Sequence, residues 1–229
     1  MAPTPGIILQ ARVASTRLPG KVLEPLGGRT ILHQCLARLI ESGAGRVVLA
    51  TTDRPEDDAL VRVAMRLGVP VHRGDSEDVL ARFLGAAEAF DLDPIVRATA
   101  DNPAVDVHAP GRLLAALRAS KADYVREEGL PYGAGVEALT RAALRYAADN
   151  ARDPHDREHV TTFIRSRHDL FRVLTASAPL ALHRPSLRLT VDTPADLAWV
   201  RELYFRTGTD APSLRQLIVA ASQAQRDAA

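Results

Sequence analysis

Short apolar runs alternate with segments of helical spacing along the first half of the chain, and this alternation constrains the fold most. Four apolar runs are each followed by a predicted helix, and a fifth run follows the last helix. Such alternation is typical of βαβ units around a parallel sheet. The sequence therefore predicts a single α/β domain with a mostly parallel central sheet. The predicted strands are residues 6–11, 46–51, 69–72, 94–99 and 123–125, and the predicted helices are residues 30–42, 55–67, 76–90 (with Ser76 as N-cap) and 109–120.

The second half of the chain is less regular. Four segments have helical spacing, and two apolar segments predict strands. One of these strands alternates apolar residues at Leu187, Leu189 and Val191. The predicted helices are residues 140–150, 157–167, 194–205 and 214–222, and the predicted strands are residues 170–175 and 186–191.

Length, charge and cysteine content exclude several classes of protein. A chain of 229 residues can bury a core without a disulfide or a metal. Cys35 is the only cysteine, which excludes an intrachain disulfide and cysteine-rich metal sites. It lies on the apolar face of the predicted helix 30–42, so we expect it in the core. The 29 basic and 28 acidic residues give a net charge of +1, so we expect no nucleic acid partner.

Hydropathy argues against a membrane partner, because no run approaches about 18 consecutive apolar residues. The short apolar run that follows Met1 has no basic region before it, which argues against a secretory signal. We therefore expect a cytoplasmic protein.

Polar segments follow the predicted strands at the point where each strand ends. In open α/β sheets, ligands bind at the carboxyl ends of the strands. We therefore expect a ligand site to be built from residues 10–21, 51–54, 73–78, 99–106 and 191–196.

The first of these loops combines three cations, two hydroxyl groups and a glycine. Arginine can hold phosphate oxygens with two hydrogen bonds, lysine supplies a compact charge, and loop N–H groups complete an anion site. The presence of Arg12, Arg17 and Lys21 therefore predicts that this loop binds a triphosphate. The alternative is a basic loop that is simply solvated. The loop lacks the glycines of the Walker A and GxGxxG motifs.

A series of motifs extends along nearly the whole chain, from about residue 6 to residue 204. They are AR-x-x-STRLPGK at residues 11–21, ATTD at 50–53, RGDSEDVLARF at 73–83, RATADNP at 97–103, REHVT at 157–161 and LTVDTPADL at 189–197. In this order they resemble the motifs of the cytidylyltransferases that form CMP-sugars, typified by CMP-Kdo synthetase. The chain is most similar to the branch of that family associated with spore-coat polysaccharide biosynthesis.

The resemblance implies one Rossmann-like nucleotidyltransferase domain over residues 1–229. Within it, residues 6–126 would bind the nucleotide, and residues 127–180 would form a small α/β lobe for the acceptor and for dimer contact. Residues 186–222 would close the domain. The resemblance also implies a homodimer.

The resemblance assigns roles to individual residues. It implies three catalytic cations, Arg12, Arg17 and Lys21. It implies that nucleotide is bound by Gln10, Ala11, Arg12, Ser15, Arg17, Lys21, Thr51 and Asp75, with Thr51 at the edge of the pyrimidine and Asp75 near the base or ribose. It implies acceptor contacts from Asn102, Glu137, Arg157 and His159. Glu77 and Asp78 belong to the same turn as Asp75, and the alternative to a place near the nucleotide is that acids are favourable at a helix N-terminus. The alternative to an acceptor contact for His159 is a structural role.

Asp101 and Asp192 each follow a predicted strand, and two neighbouring carboxylates can hold Mg²⁺ together with phosphates and water. The resemblance implies this metal role for both. For Asp192 the alternative is a helix N-cap region before Pro194. Without a metal we expect the two carboxylates to repel, so that Asn variants would keep or gain stability. Asp91 and Asp93 match a DxD pattern, but we interpret them as a turn between a helix and a strand.

The predicted activity is transfer of CMP from CTP to an acidic sugar, phosphonate or phosphate, with release of pyrophosphate and with Mg²⁺ as cofactor. A sugar-1-phosphate nucleotidylyltransferase using another nucleotide is one alternative, although its glycine-rich first loop is missing. A non-catalytic nucleotide-binding relative is another. The chain departs from the pattern of the branch at three places. It has Gly135 where the branch carries an acid, Ala138-Leu139 where it carries valine and phenylalanine, and Ala100 where it carries glycine. The identity of the acceptor therefore stays open.

Overall fold

The computed structural model describes residues 3–227, so residues 1, 2, 228 and 229 of the predicted domain lie outside the described part. The strands are β1 (Thr4–Gln10), β2 (Pro25–Leu26), β3 (Arg29–Thr30), β4 (Arg46–Thr52), β5 (Val71–Gly74), β6 (Leu92–Thr99), β7 (Tyr124–Glu128), β8 (Glu137–Leu139) and β9 (Val173–Ser177). The helices are α1 (Ile31–Glu41), α2 (Asp58–Arg66), α3 (Val79–Ala89), α4 (Ala109–Ser120), α5 (Arg141–Asn150), α6 (Pro154–Glu158), α7 (Thr162–Arg165), α8 (Pro194–Thr207) and α9 (Leu214–Asp227).

Seven strands form one sheet in the order β5-β4-β1-β6-β8-β7-β9, and β2 pairs with β3 in a separate hairpin. All neighbours in the large sheet run parallel except β8, which is antiparallel to β6 and β7. This confirms the predicted α/β domain with a mostly parallel sheet. Gln10 at the end of β1 pairs with Ala50 and Thr99, so β4, β1 and β6 end at nearly the same level. The loops that follow them therefore meet at one edge.

Helices cover both faces of the sheet. Along β1, Ile7 and Leu9 pack into one core and Ile8 packs into the other. The first core includes residues of α1, α2, α4, α8 and α9, and the second includes residues of α3, α5 and α7. Burial on both faces explains why β1 is a continuous apolar run rather than an alternating one. Within residues 3–227, none of the helices has the length and apolar character that a membrane span requires.

The predicted strand at residues 186–191 is wrong. Only Arg188 makes a ladder-type bridge, to Tyr132. The backbone of this extended segment is held at two separate places, where Tyr132 bonds with Leu187 and Leu189 and where the Val191 N–H donates to the Asp101 carbonyl (2.8 Å). Its apolar alternation has another cause, since its leucines and Val191 are buried in the core. Asp192 therefore follows an anchored extended segment, not a strand of the sheet.

The predicted helix at residues 157–167 is also wrong as one element, because the structure divides it into α6 and α7. Val160 between them is fully buried and has a left-handed backbone (φ 52°). Three successive β-branched residues, Val160 to Thr162, weaken helix propensity at this point. The helix predicted from residue 76 begins at Val79 instead, and its N-cap is Asp78, which accepts from the Ala81 N–H (2.9 Å), rather than Ser76.

Candidate active site

The loop between β1 and the short 3-10 helix Lys21–Leu23 is held in a defined shape. The Gly20 N–H donates to the Val13 carbonyl (3.1 Å), and the Lys21 N–H donates to the Leu18 carbonyl (3.2 Å). Gly20 has a left-handed backbone (φ 71°), which glycine adopts without steric cost. This turn directs Lys21 back across the end of the sheet.

Lys21 lies between the two predicted metal ligands. Its ammonium is 2.9 Å from Asp192 Oδ1 and 3.5 Å from Asp101 Oδ2, and it also donates to the Val191 carbonyl (2.8 Å). Arg17 approaches the same Asp192 oxygen (3.1 Å). The structure thus brings together four predicted site residues from three distant parts of the chain.

Asp192 is positioned by the start of α8. Thr193 is the N-cap, and Asp196 completes a capping box with it. The Asp192 N–H donates to Asp196 Oδ2 (3.0 Å), while Asp192 Oδ2 accepts from Arg188 (2.9 Å). The side chain of Asp192 is therefore not the helix cap, and it is free to face the cations.

The charge environment keeps Asp192 ionised. Burial acts to raise the pKa of this carboxyl, but Lys21, Arg17 and Arg188 outweigh burial and hold the pKa below its ordinary value.

Asp101 offers an oxygen that residues 3–227 leave unused. Its Oδ1 atom is buried and has no hydrogen-bond partner in this part of the chain. Nor do three Asp, Glu, His or Cys side chains converge anywhere within these residues to form a metal cluster. Two carboxylates around one small cation, completed by phosphates and water, fit the usual surroundings of Mg²⁺. The residues present therefore fit the implied metal.

The other predicted nucleotide residues lie along the same edge with different contacts. Arg12 donates to the Ser76 carbonyl (3.1 Å) and faces Glu158 (3.4 Å), so it bridges the loop after β5 and α6. Gln10 accepts from Arg97 (3.3 Å). Ala11 is buried and Ser15 is half-buried in the loop. Arg12 thus belongs to the same loop as Lys21, but it contacts the turn after β5 and α6 rather than the two aspartates.

Asp57 joins the loop after β1 to the end of β4. Nothing in the sequence indicated this role. Its carboxylate accepts from the Val13 N–H (2.7 Å), the Thr51 hydroxyl (2.9 Å) and the Thr52 hydroxyl (2.5 Å). Thr51 is fully buried. This geometry gives Thr51 a role in fixing Asp57 and leaves the predicted contact of its side chain with a pyrimidine without support.

Asp75 lies in the exposed turn after β5. It accepts from the N–H groups of Glu77 (2.7 Å) and Asp78 (3.1 Å), which lowers its pKa. Beneath this turn lies Arg82, which is almost completely buried and donates to the Asp75 carbonyl. Burial and the charge of Arg12 lower the pKa of Arg82. Arg82 therefore supports the turn from inside.

The four predicted acceptor residues do not form one cluster. Glu137 on β8 is enclosed by Arg97 (2.7 Å), Tyr124, Thr161 (3.1 Å) and Arg165 (3.6 Å). Burial acts to raise the pKa of Glu137, but Arg97, with the Tyr124 hydrogen bond and Arg165, holds that pKa below its ordinary value. Glu137 thus belongs to a buried network that reaches Gln10 through Arg97.

The remaining three acceptor candidates have local partners. Asn102 donates to the Thr99 hydroxyl (2.8 Å). Arg157 pairs with Asp78 and donates to the Ala148 carbonyl (2.6 Å), which ties α6 to the start of α3. His159 is exposed beside His155, with ring centroids 4.4 Å apart. Of the three, His159 is the most accessible to a ligand.

Comparison with known proteins relates this geometry to a family. Residues 6–223 match the family model described as cytidylyltransferase. The chain belongs to the cytidylyltransferase family. This cytidylyltransferase is 36% identical over 207 residues to the spore coat polysaccharide biosynthesis protein SpsF of Bacillus subtilis, with 88% of this chain and 86% of SpsF covered.

Two solved structures resemble the cytidylyltransferase along most of its length. A cytidylyltransferase from Leptospira borgpetersenii superposes with a TM-score of 0.89 at 29% identity, covering 96% of this chain and 94% of that one. CMP:2-keto-3-deoxy-manno-octonic acid synthetase, solved with CTP, superposes with a TM-score of 0.67 at 18% identity, covering 88% and 99%. The second likeness is one of fold alone.

The arrangement around Asp192 changes the expected stability of its variants. The expectation of repelling carboxylates in the metal-free protein does not hold, because the Lys21 ammonium lies between them and two arginines contact Asp192. We expect Asp192→Asn to lower the free energy of unfolding of the cytidylyltransferase at pH 7 by about 1.5–3 kcal/mol, the range for hydrogen bonds to charged groups.

The sign of the pH dependence follows from the lowered pKa of Asp192. The stabilisation is present above the pKa of an unfolded aspartate, about 3.9, and is lost as the pH falls through the lower folded-state value. Urea unfolding at pH 7 and pH 3 measures the difference. The control is Asp210→Asn, an exposed aspartate outside residues 127–180 whose carboxylate has no ion pair in the described residues. Equal stability of Asp192→Asn and wild type at pH 7 would contradict this account.

Proposed function

We propose that this cytidylyltransferase transfers CMP from CTP to an acidic acceptor and releases pyrophosphate. The observation that carries the proposal is the convergence of Lys21 and Arg17 with Asp101 and Asp192 at the carboxyl edge of the sheet. Cations for a triphosphate and carboxylates for a divalent ion are the parts that phosphoryl transfer requires. The family membership of the chain supports the choice of reaction.

The donor nucleotide is CTP. The support is the family match, because the model that matches residues 6–223 is described as cytidylyltransferase. A cytoplasmic location agrees with this donor, because CTP is made there.

The protein residues supply binding and charge neutralisation. Arg12, Arg17 and Lys21 hold the triphosphate, and they offset the negative charge that grows on pyrophosphate as it leaves. The side chain of Arg17 is 64% exposed, so its guanidinium retains N–H groups for phosphate oxygens while it contacts Asp192. An acceptor oxygen attacks the α-phosphorus, and the bond from that phosphorus to pyrophosphate breaks. No covalent enzyme intermediate is needed.

Asp101 and Asp192 would hold Mg²⁺. When bound, the ion neutralises charge on the phosphate oxygens and lowers the pKa of an acceptor hydroxyl. The buried Oδ1 of Asp101, which has no hydrogen-bond partner among residues 3–227, supports this assignment.

The acceptor is an acidic sugar, a phosphonate or a phosphate. The support is the resemblance of the sequence motifs to those of CMP-Kdo synthetase, together with the polysaccharide biosynthesis in the name of SpsF. Asn102, Arg157 and His159 are proposed contacts, and Glu137 is proposed to act from the buried network around it. Release of pyrophosphate with a panel of such acceptors tests the activity. A non-catalytic nucleotide-binding protein would release none with any of them.

Nucleotide selectivity is the first test. We expect CTP with Mg²⁺ to raise the melting temperature more than ATP, GTP or UTP. At about 100 times the dissociation constant, a ligand that binds only the folded state adds about 2.7 kcal/mol to the free energy of unfolding. For a chain of this size that is about 5–10 °C in Tm. Equal shifts with all four nucleotides would remove the cytidylyl assignment and leave a general triphosphate site.

A homodimer is the proposed assembly, with residues 127–180 at the contact. Tyr146, Phe163 and Phe171 form an aromatic cluster on this part of the chain, and Tyr146 and the neighbouring Leu170 are about half exposed. We expect light scattering at micromolar concentration to give twice the chain mass of 24.7 kDa, and Tyr146→Glu to shift the protein toward the monomer. A mass of one chain across that concentration range would reject the dimer.

A further inference from the structure

Arg188 contacts the proposed metal site from outside it. The residue lies four positions before Asp192, and its guanidinium donates to Asp192 Oδ2 (2.9 Å) and to Asp196 Oδ1 (2.7 Å). No sequence motif pointed to it. It thus links the carboxylate proposed for the metal to the acid of the α8 capping box.

The contacts of Asp192 are divided between its two oxygens. Oδ2 faces Arg188, whereas Oδ1 faces Lys21 (2.9 Å) and Arg17 (3.1 Å). Lys21 in turn contacts Asp101, so Oδ1 is the oxygen on the side of the second carboxylate. The Arg188 hydrogen bond therefore determines which Asp192 oxygen faces the triphosphate cations.

Arg188 is itself held in place. Its backbone bridges to Tyr132, its carbonyl accepts from the Trp199 indole N–H (3.2 Å), and its guanidinium lies 5.0 Å from the centre of the Tyr132 ring. Two carboxylates and an aromatic ring thus fix the direction of the guanidinium.

We propose that Arg188 is a positioning residue that orients Asp192 for metal binding without touching the nucleotide or the acceptor. The inference rests on the proposed metal role of Asp192. Partners that hydrogen-bond a metal-ligating carboxylate usually contribute about 10–100-fold in metal affinity. The side chain of Arg188 is 44% exposed, so the pair itself contributes little to folding stability, and metal affinity is the property that distinguishes a positioning role.

The experiment measures Mn²⁺ affinity in the presence of CTP by the electron paramagnetic resonance signal of free Mn²⁺. We expect Arg188→Ala to raise the Mn²⁺ dissociation constant about 10-fold or more, with CTP affinity in the absence of metal unchanged. Arg188→Lys should recover only part of the loss, because an ammonium cannot reach both Asp192 and Asp196 as the planar fork does. Arg188→Gln is the second variant for the case that the alanine variant loses its fold.

Arg206→Ala is the matched control. Arg206 also pairs with a carboxylate four positions away, Glu202 (2.7 Å), but it lies near the far end of α8. This variant should keep wild-type Mn²⁺ affinity. Wild-type affinity in Arg188→Ala, with a clear loss in Asp192→Asn, would overturn the inference alone. No loss in Asp192→Asn would overturn the metal site of the proposed function, and the role of Arg188 with it.

Discussion

Asp101→Asn and Asp192→Asn should each reduce turnover about 100-fold or more, the magnitude for one lost electrostatic group in an active site. The two carboxylates converge on one ammonium from different parts of the chain. An amide keeps the shape of the side chain but carries no charge, so it binds a divalent ion poorly. Pyrophosphate release with CTP and an acceptor measures the loss.

The double variant makes this prediction specific. If both carboxylates serve one ion, the second substitution acts on a site already broken, and the losses should be far from additive. Asp210→Asn, at an exposed position beyond the carboxyl end of α8 and so at the opposite end of that helix from Asp192, should retain wild-type turnover. Losses that multiply in the double variant would indicate two independent roles, and near-normal turnover in either single variant would remove that residue from the site.

Lys21→Ala is expected to reduce turnover about 100-fold or more. In the nucleotide-free protein the Lys21 ammonium contacts both aspartates, and in the proposed reaction it balances charge on the triphosphate. Lys21→Arg should restore only part of the rate, because a planar fork does not replace a compact charge. Single-turnover rates of pyrophosphate release provide the comparison.

The other lysine in the chain is the natural control for this variant. Lys121 lies just after α4, away from the sheet edge, and Lys121→Ala should keep the wild-type rate. Lys21 is largely enclosed, so its loss also affects folding, and melting temperatures must show that Lys21→Ala is folded. A folded Lys21→Ala protein with wild-type turnover would mean that Lys21 serves only to neutralise the carboxylates.

The first half of the fold was predictable because its signals are local. The apolar run of β1 and the helical spacing of α1 both reflect burial against neighbouring layers, and the structure has both elements within a few residues of their predicted bounds. By contrast, β8 has only three residues, too few for a period to be recognised. The segment around Leu189 shows a strand-like alternation because it packs on the core, although its backbone bonds go to single distant partners.

The candidate site was predictable in part for the same reason. Asp101, Asp192 and the cations of the first loop follow strands or motifs, and the structure brings Lys21 to both aspartates and Arg17 to Asp192. The roles of Asp57, Arg97 and Arg188 depend on contacts between residues that are separated in the sequence and belong to different segments. Such contacts leave no periodic pattern, and a buried Glu137 looks the same in the sequence as one that faces an acceptor.

The central claim is that Asp101 and Asp192 together hold a divalent ion on the nucleotide, and water-proton relaxation by bound Mn²⁺ tests it most directly. Mn²⁺ is titrated into the wild-type protein and both Asn variants in the presence of CTP. We predict one site per chain in the wild type. Each variant should weaken that site by at least about 10-fold, since loss of an outer partner alone has that effect. Unchanged Mn²⁺ affinity in both variants would contradict the metal assignment and the mechanism that depends on it.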